Sequence, residues 1–129
     1  MIVVDASVVV EALVGAARAD ATRARLAADE LWAPDLLDVE VASALRGLRL
    51  AGRISDARLD RAVDDLARLR VERHPSAPLV RAALGHRDNL TTYDAMYVAL
   101  AEVLGCALFT GDRRLAAASG IDCEVELLA

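Results

Sequence analysis

Four acidic residues stand where a carboxylate is hard to place. Asp5 follows the apolar start "MIVV", Glu40 sits inside "LLDVEVASAL", Asp94 opens the apolar "YDAMYVALA", and Asp112 comes just after "CALFT". A carboxylate in apolar surroundings is costly unless it is paired or coordinates a metal. If the four meet in one crevice, their mutual repulsion calls for cations, and an all-oxygen donor set suits magnesium or manganese rather than zinc. Such a cluster activates water and stabilises an in-line displacement at phosphorus, which makes phosphodiester hydrolysis the leading chemistry. Each acid also has a structural account. Asp5 and Asp112 can cap the helices that follow them, and an aspartate in a first turn, as at Asp94, is favoured by the helix dipole. Glu40, read as mid-helical, has no capping role, although an exposed helix face would also accommodate it. Asp38 is the rival acid on that helix, and its offset of two residues turns it away from the face of Glu40.

The elements that must position these groups alternate along the chain. Residues 1–4 read as a short buried strand, and "ASVVVEALVG" as a helix ending at Gly15. A second helix fits "ARADATRARLAAD", and "LWA" is another short strand. From Asp35 a long helix runs to Leu50 on a stripe of Leu36, Leu37, Val41, Leu45 and Leu48. Ser55 caps the next, in which Leu59, Val63, Leu66 and Leu69 recur at helical spacing. "RVERH" reads as an edge strand and "APLVRAALG" as a short helix. "TTYDAMYVALAEVLG", apolar nearly all round, is the central buried helix, ended by Gly105. "CALFT", "RRLAAAS" and "CEVEL" supply strand, helix and strand. Continuous apolar strands separated by helices indicate an α/β domain whose parallel sheet is covered on both faces. Ligands bind such sheets at the carboxyl ends of the strands, and Asp5 and Asp112 both stand there.

The chain of 129 residues has the length of one domain, residues 1–129. It is 56% hydrophobic, yet no apolar run approaches the roughly 20 residues of a membrane span. No basic leader precedes an apolar segment and a cleavage site, so a cytoplasmic location away from the membrane is expected. Cys106 and Cys123, the only cysteines, lack metal-ligand spacing and read as core thiols, while His74 and His86 read as surface residues. The net charge is −5, but every basic residue is arginine, and Arg46, Arg49, Arg53, Arg58, Arg61, Arg68, Arg70 and Arg73 fall in one stretch. Arginine forks can track a nucleic-acid backbone. The interleaved Asp56, Asp60, Asp64 and Asp65 equally suit a solvated helix face laced with ion pairs. The absence of lysine excludes a phospho-acceptor receiver domain and a P-loop, and no GxGxxG follows a strand.

"IVVDASVVV", "PDLLDVEVASALR", "LTTYDAMYVALAE" and "LFTGDRRLA" resemble, in order and spacing, the signatures of the PIN domain, more narrowly of the VapC-type toxins of bacterial toxin and antitoxin pairs. The resemblance spans essentially the whole chain. It implies a three-layer fold with a central parallel sheet of about five strands flanked by about seven helices. It also implies that Asp5, Glu40, Asp94 and Asp112 are catalytic metal-binding acids, with Ser7 and Thr110 supporting them by hydrogen bonds. The implied activity is that of a magnesium- or manganese-dependent endoribonuclease leaving 5'-phosphate and 3'-hydroxyl ends on structured RNA such as transfer or ribosomal RNA. A homodimer and a cognate VapB-type antitoxin, often sending an arginine towards the acids, are implied as partners. Some PIN domains carry a further acid two residues past the fourth; here Arg114 stands there, consistent with one firmly bound ion and a second recruited by the RNA. Arg46, Arg49 and Arg53 are candidates for backbone contacts to RNA. Aromatic residues make up 3% of the chain, and Trp32, Tyr93, Tyr97 and Phe109 all fall in elements read as buried, so base stacking is not expected to dominate recognition. A non-catalytic PIN-like module that binds RNA or protein is the alternative.

Overall fold

In the computed structural model, which describes residues 1–129, five strands form one wholly parallel sheet. The strands are β1 (Ile2–Val4), β2 (Leu31–Pro34), β3 (Val71–His74), β4 (Ala107–Thr110) and β5 (Val125–Leu127), in the order β3-β2-β1-β4-β5. Ile2, Val3 and Val4 are almost wholly buried because β1 is central, paired with β2 on one side and β4 on the other. "RVERH" does form an edge strand, and its Glu72 and Arg73 face water accordingly.

The helices are α1 (Ala6–Val14), α2 (Ala19–Ala27), α3 (Leu37–Leu50), α4 (Asp56–Arg68), α5 (Val80–Leu84), α6 (Thr92–Leu104) and α7 (Arg113–Ala116). The chain steps one way along the sheet from β1 to β3 and then back to β4 and β5. Right-handed crossovers therefore put α1 to α4 on one face and α5 and α6 on the other. α1 packs on α2, α3 and α4, whereas α6 lies across β1, β2 and β4 with α5 beside it. The central helix α6 buries every residue from Ala95 to Ala101, and its alanines allow close approach to the strands. Thr91 caps it by accepting from the Asp94 backbone N–H, and Gly105 ends it at φ 65°, a left-handed conformation that glycine adopts freely. Ser55 caps α4 in the same way, through the Arg58 backbone N–H.

Several expectations are corrected by packing. α3 begins at Leu37 rather than Asp35, which places Glu40 in its first turn instead of mid-helix. On α4 the buried positions are Ala62 and Leu66, flanked by the half-buried Leu59 and Leu69; Val63 stands beside that stripe and is exposed. Tyr93 is 66% exposed at the outer side of α6. Cys106 and Cys123 are half-buried rather than core thiols. His86 is not a free surface residue: its Nε2 lies 2.6 Å from Glu102 Oε1, and the pair is largely shielded.

Candidate active site

β1 and β4 are neighbours, yet the connections leaving them run to opposite sides of the sheet, so a crevice opens beyond their carboxyl ends. Asp5 stands in that crevice with its backbone N–H donating to Phe109 at 2.9 Å. Its side chain makes no capping bond to α1. Instead Asp5 Oδ2 accepts from the Thr110 hydroxyl at 2.6 Å and from the Ser7 hydroxyl at 3.0 Å. Those two hydroxyls are fixed in turn: the Gly111 backbone N–H donates to Ser7 Oγ at 2.9 Å and the Asp112 backbone N–H to Thr110 Oγ1 at 3.0 Å. Gly111 matters for this closure, because a Cβ there would lie 3.3 Å from Ser7 Oγ.

Asp112 caps the short α7 through Oδ1, which accepts from Arg114 at 2.9 Å and Leu115 at 3.4 Å. Glu40 projects from α3 and accepts a 2.7 Å hydrogen bond from the Tyr97 hydroxyl at Oε1. Asp94 enters from the first turn of α6. Asp5 Oδ1, Glu40 Oε2 and Asp112 Oδ2 receive no hydrogen bond from the protein, which leaves one oxygen on each free for a ligand.

The electrostatics tie the groups together. Burial raises the pKa of Glu40 above the ordinary glutamate range, and repulsion from Asp5 and Asp94 raises it further, against the Tyr97 hydrogen bond. Burial likewise raises Asp94, with Asp5 and Asp112 adding to the effect and Arg114 opposing it. All four acids therefore act on one shared patch, drawn from four separate elements. Their geometry is open: no three carboxylate, histidine or cysteine side chains are gathered closely enough to enclose an ion as they stand. The chemistry of the donor set still fits a hard divalent cation, since three unliganded carboxylate oxygens and two acids of heightened proton affinity favour any added positive charge.

Residues outside the patch are equally informative. Asp38 is engaged by Arg73 in a two-pronged pair at 2.7 and 2.9 Å, in keeping with its turning away from Glu40. Arg49 is paired with Asp56, so the ion-paired helix face holds there, while Arg46 and Arg53 are exposed and make no ion pair. Arg114 is 97% exposed with its Nε 3.9 Å from Asp112 Oδ1. The sequence reading missed the role of Tyr97, treated only as a buried aromatic. The available signal was its spacing three residues after Asp94, which puts both on one side of α6.

A doubly wound α/β unit carrying four acids at its switch point belongs to a recognisable class, and comparison with known proteins specifies it. The family model of the PIN domain matches residues 2–121. Ribonuclease VapC1 of Mycobacterium tuberculosis is 46% identical over 128 residues, covering 98% of this chain and 96% of its own. The chain belongs to the PIN-domain family and, within it, to the VapC ribonucleases. Among solved structures, PAE2754 from Pyrobaculum aerophilum superposes with a TM-score of 0.70 at 27% identity, over 96% of this chain and 81% of that one. VapC20 of Mycobacterium tuberculosis, described as a toxin that cleaves the sarcin-ricin loop, shares the fold at a TM-score of 0.70 and 18% identity, over 94% and 96% of the two chains.

Proposed function

We propose that residues 1–129 form one catalytic domain, the toxin of a VapBC-type pair, which hydrolyses RNA phosphodiester bonds with magnesium or manganese and leaves 5'-phosphate and 3'-hydroxyl ends. Membership of the VapC ribonucleases supports the substrate class. The observation that carries the site is the shared field of the four acids: Glu40 and Asp94 each feel Asp5 from different elements. In this reading Asp5, Glu40, Asp94 and Asp112 hold the cation. When bound, it supplies the charge that makes water a nucleophile and steadies the phosphate.

The protein's own groups have distinct tasks. Ser7 and Thr110 lock Asp5 through one oxygen and orient the other towards the crevice. Tyr97 favours the ionised form of Glu40, opposing the upward pull of burial. Arg46 and Arg53, unpaired and exposed, are available to RNA phosphates, whereas Arg49 must first leave Asp56. A structured RNA is the proposed substrate, as the sarcin-ricin loop is for VapC20. The functional form is a homodimer in the cytoplasm, restrained by an antitoxin that offers positive charge to the acids.

The alternative is a non-catalytic PIN-like module that binds RNA or protein without cutting. Incubation of structured RNA with the protein and manganese separates the two. Cleavage by the wild type, abolished in Asp5→Ala and Asp94→Asn, is the expected result; folded wild-type protein that binds the RNA without cutting it would overturn the proposal.

A further inference from the structure

At the far end of the sheet from the acids, the two cysteines line one cleft. The β4–β5 pairing aligns Leu108 with Val125, Phe109 with Glu126 and Thr110 with Leu127. Cys106 and Cys123 each precede the first pair by two residues. The regular pairing stops at that pair: the Leu108 N–H donates to the Glu124 carbonyl at 2.8 Å as part of the Leu108–Val125 pair, whereas the Cys106 N–H donates back to Ala101 and Cys123 sits at a bend. The two cysteines are close enough for the charge of Cys106 to act on Cys123. Disulfides need a Cα separation of about 4.4–6.8 Å. Both thiols are free and half-buried, and both line a surface cleft of about 300 Å³ with Glu102, Asp122 and Glu124. No metal explains the pair, since no third ligand joins them.

We infer that Cys106 and Cys123 are an oxidisable dithiol, closed to a disulfide by hydrogen peroxide. One thiolate attacks the peroxide and becomes a sulfenic acid with loss of hydroxide; the second thiol then displaces water and forms the S–S bond. The balance is two thiols and one peroxide to one disulfide and two waters. A neutral oxidant suits this cleft, because its three carboxylates repel anionic disulfides. Burial raises both thiols, Cys106 with a smaller addition from Asp29 and Cys123 to about 11 with additions from Glu102, Cys106 and Asp122, so the reaction is slow and the closed bond resists attack.

The bond ties down the frailest strand. β5 has a single neighbour, and none of its residues is fully buried. The ring from 106 to 123 also encloses Thr110, Gly111, Asp112 and α7, so oxidation staples the segment that carries two groups of the acid site. Cys106 lies four residues before Thr110, about 13 Å along an extended chain, which keeps the staple clear of the acids.

The test treats the full chain with hydrogen peroxide and maps it without reduction. Arg113 and Arg114 lie between the cysteines, so trypsin separates 88–113 from 115–129 unless a disulfide joins them. The expected result is that linked pair, a mass lower by two hydrogens, and a rise in Tm of roughly 5–10 °C that a thiol reductant reverses. Cys106→Ser and Cys123→Ser each remove all three changes; should either fail to fold, the wild-type map decides alone. Peptides that stay separate and carry sulfinic acid, or a link shown by isotope-mixed samples to join two chains, would overturn the inference.

Discussion

Tyr97→Phe isolates the contact that steadies Glu40. Tyr97 is 1% exposed, and the substitution removes only the hydroxyl that donates 2.7 Å to Glu40 Oε1. A hydrogen bond to a charged acceptor contributes about 1.5–3 kcal/mol. Glu40 is half open to solvent, so water replaces part of the loss, and the net destabilisation is about 1–2 kcal/mol. For a chain of this size that lowers Tm by roughly 3–10 °C, readable by calorimetry. A second readout separates a positioning role from a packing one. The Tyr97 hydrogen bond holds the Glu40 pKa down against burial and the repulsion of Asp5 and Asp94. Without it Glu40 takes up a proton at higher pH, so the acid limb of manganese-supported RNA cleavage moves to higher pH, while the rate on the alkaline plateau stays near that of the wild type. An acid limb that stays in place, or moves to lower pH, would refute the assignment of Tyr97 as the residue that keeps Glu40 ionised.

Two further predictions test the shared field. Asp94→Asn removes a charge that interacts with Asp5 and Glu40, so the metal-free variant melts above the wild type while its stabilisation by magnesium shrinks; equal magnesium shifts in both proteins would count against a common site. Because the folded pKa values of Glu40 and Asp94 are raised, the folded state binds protons more tightly than the unfolded chain, and their contribution to stability falls as pH rises from about 4 through the raised values. Denaturant titration of metal-free protein should therefore show higher stability near about pH 5 than near about pH 7.5, with magnesium narrowing the gap. Asp29, Asp56 and Glu126, lowered by their ion pairs, act in the other direction but below that window.

The architecture was legible because it rests on strong local signals. Apolar strands too short to be helices, Ser55 as a cap and Gly105 as a stop all survive folding, since backbone requirements fix them regardless of packing. What failed was burial. Tyr93 lies in an apolar helix but on its outer side, and Val63 follows the helical spacing yet yields its place to Ala62. Pairing across the chain was also invisible: nothing in "ERHPS" or "LGHRDN" shows that Arg73 clasps Asp38 or that His86 meets Glu102. Within the site, the four acids were legible as residues out of place, whereas the contact from Tyr97 to Glu40 needed two helices to be docked first.

The capping and functional accounts of the acids are not rivals. Asp5 stands at the N-cap position of α1, Glu40 in the first turn of α3, Asp94 in the first turn of α6 and Asp112 at the N-cap of α7. Four helix N-termini therefore bring partial positive charge to the same patch that gathers the carboxylates. Each such pairing contributes about 0.3–1 kcal/mol. Two unit charges about 8 Å apart repel by about 2 kcal/mol at an effective dielectric of about 20, and four acids make several pairs. The dipoles thus offset only part of the repulsion. The remainder adds to burial, the larger cause, in raising Glu40 and Asp94, and it suits a ligand set that stays open: the fold brings the acids near enough to compete for one positive charge, and leaves the final closure to that charge.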